Sequence, residues 1–271
     1  MSDNRAIGVF DSGLGGLTVA KRIMEVLPNE NIVYFGDTGR VPYGTKGVKT
    51  IRNYAIEDER FLVSKGVKMI VAACGTVSSV AADTGDFWDV PFVEVISHAV
   101  KDAVELSKDK KIGVLATPAT IKSHAHKTLI EKLCPAARVT ETAAPLLVSL
   151  AEEGWYQKDN EIARLTVKEY LKNMKEAGVD TLILGCTHFP VFSGLISEFL
   201  PGVKLIDMGA SAADYIKDTL VKSGMERGGD LPAEHLFFVS DKAVTFEKTV
   251  KIFLGDSYEN IKIDLVDPEK I

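Results

Sequence analysis

Apolar residues in this chain gather into short unbroken runs, each followed by a turn and then by apolar positions spaced three and four apart. Ile7-Gly-Val-Phe10 is the first run, closed by Asp11-Ser12-Gly13-Leu14-Gly15-Gly16. Leu17, Ala20, Ile23, Met24 and Leu27 then follow at helical spacing, with Pro28 beyond the end. Asn31 to Gly36 reads as the next strand and 37–45 as a turn-rich loop. A helix from about Val48 to Lys65 leads to a strand from Val67 to Ala73, which ends at Cys74. Nothing is assigned between Cys74 and the strand Phe92–Ile96, which opens a helix through Leu106.

The second half repeats the theme. Strands are expected at Lys111–Ala116, Arg138–Ala143, Thr181–Gly185 and Lys204–Met208. Helices are expected from Thr117 to Leu133, at 145–153, at 160–177 and at 210–223. His235–Ser240 and Tyr258–Val266 are strand-like and harder to place. Strand–helix alternation with continuous apolar strands implies an α/β fold with largely parallel sheets covered on both faces. Ile7-Gly-Val-Phe and Ile112-Gly-Val-Leu, each before a turn and a helix, form a weak internal repeat. Two similar doubly wound domains are therefore expected, 1–97 with 209–271 and 98–208, related by a pseudo-two-fold axis with a cleft between them.

Composition narrows the class without naming it. Of 271 residues, 46% are apolar and 26% charged, and the net charge is −6 with no basic run. That balance suits a globular protein and argues against a nucleic-acid partner. No apolar stretch approaches the roughly 20 residues of a membrane-spanning helix. Met1–Arg5 runs directly into a strand without a signal-peptide pattern, so a cytoplasmic protein is expected. Three cysteines, Cys74, Cys134 and Cys186, do not suggest a disulfide framework.

The chemistry concentrates where strands end, as ligands do in open α/β sheets. Cys74 and Cys186 each end an apolar strand with a threonine within two residues, 112 positions apart. The expectation is that these two thiols face one substrate from opposite sides. Asp11-Ser12, Pro42-Tyr43-Gly44, Thr117 with Thr120, and Thr187-His188 occupy the other strand ends. Hydroxyls, thiols and glycine amides dominate, and helix N-termini add N–H donors, which suits a small anionic molecule held without salt bridges.

Blander readings stand beside these. A cysteine in a strand can be simple apolar filling, and Cys134 is read that way. Asp11 has a second reading as a helix N-cap and His188 as a structural hydrogen-bond donor. His124 and His126 are read as surface residues. Cys74, Cys186 and His188 could in principle bind a metal, but their spacing matches no common zinc pattern. Gly13-Leu-Gly15-Gly16 lacks the third glycine of a dinucleotide fingerprint, since position 18 is Thr. A Cys-x5-Arg phosphatase loop is excluded by Val80, and no G-x-S-x-G elbow occurs.

Phe10-Asp-Ser-Gly-Leu-Gly-Gly-Leu-Thr-Val19, Pro42-Tyr-Gly44, Ala73-Cys-Gly-Thr76 and Leu184-Gly-Cys-Thr-His-Phe-Pro190 together resemble the signature blocks of glutamate racemases. The resemblance runs in order from about residue 6 to 215, and beyond about 225 nothing is recognised. It implies cofactor-independent interconversion of L- and D-glutamate, supplying D-glutamate for peptidoglycan, by a homodimer whose small-molecule substrate is glutamate. It implies that Cys74 and Cys186 act as the two bases, the first on D-glutamate and the second on L-glutamate. Asp11 and His188 would assist Cys74 and Cys186 respectively, and Glu152 would be a further carboxylate near the second cysteine. Ser12, Tyr43, Gly44, Gly75, Thr76, Thr120 and Thr187, with Asp11 and His188, would contact substrate. Gly75 departs from the Asn usual in the family, and Val77-Ser78 from its small-residue run, so an aspartate or other amino-acid racemase is the alternative enzyme. A non-catalytic ligand-binding protein is the alternative from another class.

Overall fold

A computed structural model describes residues 2–229, 232–242, 246–255 and 262–267. Among these residues the strands in chain order are β1 Ile7–Asp11, β2 Ile32–Gly36, β3 Met69–Ala72, β4 Phe92–Glu94, β5 Lys111–Ala116, β6 Arg138–Ala143, β7 Thr181–Gly185, β8 Lys204–Asp207, β9 His235–Val239 and β10 Ile263–Leu265. They form two parallel sheets, a six-stranded one ordered β10-β9-β2-β1-β3-β4 and a four-stranded one ordered β6-β5-β7-β8. The fold class is the α/β, parallel-sheet one that the alternation implies.

Helices cover the sheets because their apolar stripes have nowhere else to go. Leu17–Val26 buries Leu17, Val19, Ala20, Ile23 and Met24, the face its spacing predicts. Val95–Leu106 starts where the Glu94 carboxylate accepts from the N–H groups of Ile96 and Ser97, at 2.6 and 2.9 Å, satisfying two orphan donors. Met208–Ser223 starts on Asp207, whose carboxylate accepts from Gly209 N at 2.9 Å. These three helices lie between the sheets, and one apolar cluster runs from Ile7 and Val9 through Val100 and Ile216 to Val114 and Ile183. The far side of the first sheet has its own core around Phe10, Phe35, Phe61 and Phe238.

Several expectations are corrected. The helix expected from Thr117 to Leu133 is two helices, Pro118–Ser123 and Ala125–Leu133, divided at His124. His124 sits in the left-handed region at φ 53°, and its Nδ1 lies 2.7 Å from Glu141 Oε2 on β6. Such a conformation is rare for a residue with a side chain, and histidine is among the more tolerant. The 160–177 helix is likewise divided at Leu171. His126 is not on the surface. It is buried, with neither ring nitrogen hydrogen-bonded among the described residues, and its ring approaches Gly185, where a Cβ would lie 3.4 Å from Cε1. The periodicity of the new helix turns it inward, which a single continuous helix would not.

The tail pairs with the first sheet: β9 runs beside β2 with His235 opposite Ile32, and β10 beside β9. Of the strand expected at Tyr258–Val266, residues 258–261 lie outside the described ones. A helix not expected from the sequence, Phe246–Leu254, separates the two tail strands.

Candidate active site

Register brings the strand ends together. In the first sheet Phe10 pairs with Ala72 and Asp11 with Gly36, so Asp11-Ser12, the loop after Gly36 and Cys74 emerge side by side. In the second sheet Ala116 pairs with Gly185, which sets Thr117 beside Cys186. The two carboxyl edges enclose a cavity of about 260 Å³ that Cys74 and Cys186 both line, with Ser12, Tyr43, Gly44, Gly75, Thr76, Thr117, Thr187 and His188. Among the described residues no lysine or arginine lines it.

Close backbone approach makes this possible. A Cβ on Gly75 would lie 2.7 Å from the Gly185 carbonyl oxygen and 3.0 Å from Met208 Cε. A Cβ on Gly15 would lie 2.3 Å from Thr187 Oγ1. Each first-sheet glycine thus admits second-sheet backbone or side chain where any other residue would push it away. Hydroxyls tie the edges as well. Thr76 Oγ1 lies 3.1 Å from Thr117 Oγ1, and Thr18 donates to the Thr187 carbonyl at 3.0 Å.

The two thiols have different company. Cys74 donates to Ser12 Oγ at 3.5 Å. Burial pushes its pKa up to about 12, with the nearby Asp11 charge adding to the rise and the Ser12 and Val77 hydrogen bonds opposing it. Cys186 Sγ lies 3.7 Å from His188 Nδ1, and His188 Nε2 lies 3.1 Å from Glu152 Oε1. Burial disfavours charge on His188, but its bonds to Cys186 and Glu152 outweigh that and raise its pKa to about 10. The imidazole is therefore held protonated at neutral pH, with one nitrogen toward sulfur and the other toward a half-exposed carboxylate.

Asp11 is buried and stands behind the lining rather than in it. Its Oδ2 accepts from Gly13 N at 3.0 Å, so it shapes the turn rather than capping the helix, whose N-cap is Gly16. Its Oδ1 has no partner among the described residues. Burial raises the Asp11 pKa, against the His188 charge and the backbone bonds. Thr120 is one step removed from the cavity: its hydroxyl lies 3.0 Å from that of Thr117, which does line it. Tyr43 lines the cavity, but its hydroxyl sits between the Asp37 and Asp58 carboxyls, 3.1 Å from the latter, and anchors the 42–45 loop. Arg40 closes that cluster against both carboxylates.

Thr117, which the strand-end reading sets beside Thr120, lines the cavity. Two lining features lie outside the sequence-based set: Thr45, and the start of the helix Pro145–Glu152, where Pro145, Leu146, Val148 and Ser149 wall the cavity. That helix follows β6, so the strand-end rule that found the others could have found it. Among the described residues no group of three His, Cys, Asp or Glu side chains could hold a metal ion.

Residues 8–216 match the family model described as Asp/Glu/Hydantoin racemase. The curated glutamate racemase of Neisseria gonorrhoeae is 43% identical over 264 residues, covering 96% of each chain. That of Geobacter metallireducens is 40% identical over 268 residues, covering 98% of each. The crystal structure of glutamate racemase from Francisella tularensis in complex with D-glutamate superposes with a TM-score of 0.92 at 38% identity, covering 99% of this chain and 100% of that one.

Proposed function

The chain belongs to the Asp/Glu/hydantoin racemase family, and from that premise we propose that it interconverts L- and D-glutamate without a cofactor, supplying D-glutamate for peptidoglycan synthesis. The observation that carries this reading is the pair of buried thiols, one from each sheet, lining a single small cavity.

The chemistry requires a base on one face of Cα and an acid on the other. In the L-to-D direction Cys186, facing a protonated His188, removes the α-proton as thiolate. Cys74, kept protonated by its burial, delivers a proton to the opposite face. In the reverse direction the roles exchange. The charge that develops at Cα has no cofactor to spread into, so hydrogen bonds at the substrate carboxylate must stabilise it. Ser12, Thr76, Thr117 and Thr187 supply hydroxyls for that purpose, and with no lysine or arginine in the lining, hydrogen bonds rather than salt bridges carry recognition. Thr120 acts through Thr117, Tyr43 through its loop, and Asp11 through its charge on Cys74.

The same reading divides the chain into two lobes, 1–97 with 209–271 and 98–208, each contributing one thiol. The two-sheet arrangement supports it. Family resemblance supports a homodimer, and the N-terminal sequence reading supports a cytoplasmic one. No helix among the described residues is long and apolar enough to cross a membrane. Light scattering during size exclusion reads the oligomer.

Circular dichroism of L-glutamate incubated with the protein tests the proposal. Optical activity should decay to zero without added cofactor, and faster than that of L-aspartate. An undiminished glutamate signal beside a decaying aspartate signal would replace the substrate. Undiminished signals from both would remove the activity.

A further inference from the structure

The helix Phe246–Leu254 belongs to the tail in which no motif is recognisable, yet it reaches the reacting centre. It packs on Leu17–Val26 and buries Val250, Phe253 and Leu254. The ring of Phe253 meets that of His188 edge to face, with centroids 5.2 Å apart and planes at 89°. From the same helix Lys248 donates to the Glu153 carbonyl at 2.7 Å, next to the carboxylate that holds His188.

His188 must address a thiol and a carboxylate at once, and its Nδ1 also lies 3.4 Å from Thr187 Oγ1. Nδ1 faces Cys186 at 3.7 Å and Nε2 faces Glu152 at 3.1 Å. Contacts at the two nitrogens leave the ring free to rock about the line between them, and the longer one, to sulfur, constrains it least. A perpendicular aromatic ring resists that rocking, and aromatic rings attract one another in this geometry and attract cations. Gly15 packs beside Cε1, where a Cβ would come within 2.4 Å. It offers no side chain that could do the same.

We propose that Phe253 is a positioning residue that fixes the His188 imidazole so that Nδ1 addresses Cys186 while Nε2 addresses Glu152. The inference rests on the racemase reading for its consequence, but its geometry does not. The tail is thereby part of the machinery, although it carries none of the recognisable sequence blocks.

The test uses the full chain with F253L, which keeps apolar bulk but removes the ring, and F253Y, which keeps the ring. Racemisation kinetics, their pH profile and side-chain 15N spectra of His188 without substrate are compared. F253L should melt near wild type, show kcat lowered by about 10-fold with little change in KM, and move the alkaline limb of the profile. Its His188 nitrogen signals should shift or broaden, and F253Y should restore all of these toward wild type. A purely structural role predicts instead that F253L turns over within about twofold of wild type, or that both variants lose activity only in proportion to lost folded protein. Either result, with unchanged His188 signals, overturns the proposal. If the wild type does not racemise glutamate, the functional reading fails while the nitrogen spectra still decide the role of Phe253. Should F253L not fold, F253M is judged by the same criteria.

Discussion

The Sγ of Cys186 lies 3.7 Å from the Nδ1 of His188, whereas the hydrogen-bond partner of Cys74 is the Ser12 hydroxyl at 3.5 Å. The two thiols are thus not mirror images. One faces a cation and the other lies near a buried carboxyl that repels negative charge. The sulfur beside His188 is placed to act as base, and Cys74 to act as acid.

That asymmetry is readable by alkylation. Cys74 is pushed up to about 12 by burial and then by Asp11. Its modification by a small haloacetamide, followed by mass spectrometry, should keep rising through pH 9 to 11 without a plateau. Asp11→Asn removes the repelling charge, so Cys74 should become more reactive at any given pH. A plateau below pH 9 in the wild type, or slower labelling of D11N, would contradict the assignment.

Glu152 acts through His188. Glu152→Gln keeps a hydrogen-bond acceptor for Nε2 but removes its charge, so the His188 pKa should fall from about 10. Activity with L-glutamate requires the protonated ring and is lost as pH rises through that value. The alkaline limb of kcat/KM should therefore move to lower pH in E152Q, with kcat reduced by about 10-fold or more. An unmoved limb would show that Glu152 is only a surface neighbour.

Much of this was legible in the sequence because parallel strands deliver their ends to one place. Cys74, Ser12, Thr76 and Cys186 needed only the strand-end rule. Other features were not legible, for physical reasons. Thr117 is the N-cap of the short helix that carries Thr120, and only the turn into that helix decides which of the two hydroxyls reaches the cavity. His126 turns inward because His124 interrupts a helix that propensity alone would continue. Phe253 acts on His188 only because the tail returns to the first sheet, a contact spanning 65 positions that no local pattern encodes.

Gly75 offers a test at a position where the family resemblance leads one to expect asparagine. Asparagine there brings a Cβ to 2.7 Å from the Gly185 carbonyl, and backbone cannot yield as a flexible side chain can. Gly75→Asn should destabilise the fold by about 1–3 kcal/mol and lower kcat/KM, by widening the gap between the two edges. Urea unfolding and kinetics check both. Improved turnover would mean that the close approach is dispensable.

His126 makes stability pH-dependent. Burial drops its pKa to about 4, against about 6.5 in an unfolded chain. Between those values the unfolded state binds the proton and the folded state does not. Stability is therefore full above pH 6.5 and declines as pH falls toward 4, by at most about 3 kcal/mol from this residue. His126→Leu should flatten that decline in urea unfolding at pH 7.5 and 5. An equal loss in both proteins would place the acid sensitivity elsewhere.

The central claim is that two thiols serve opposite faces of Cα, and proton exchange in D2O tests it most directly. Starting from L-glutamate, early D-glutamate should carry deuterium at Cα while the remaining L-glutamate stays largely protiated, because the incoming proton comes from a different thiol. Cys74→Ser and Cys186→Ser should each abolish racemisation. Equal early deuteration of both enantiomers, or full turnover in either serine variant, would contradict the two-thiol account.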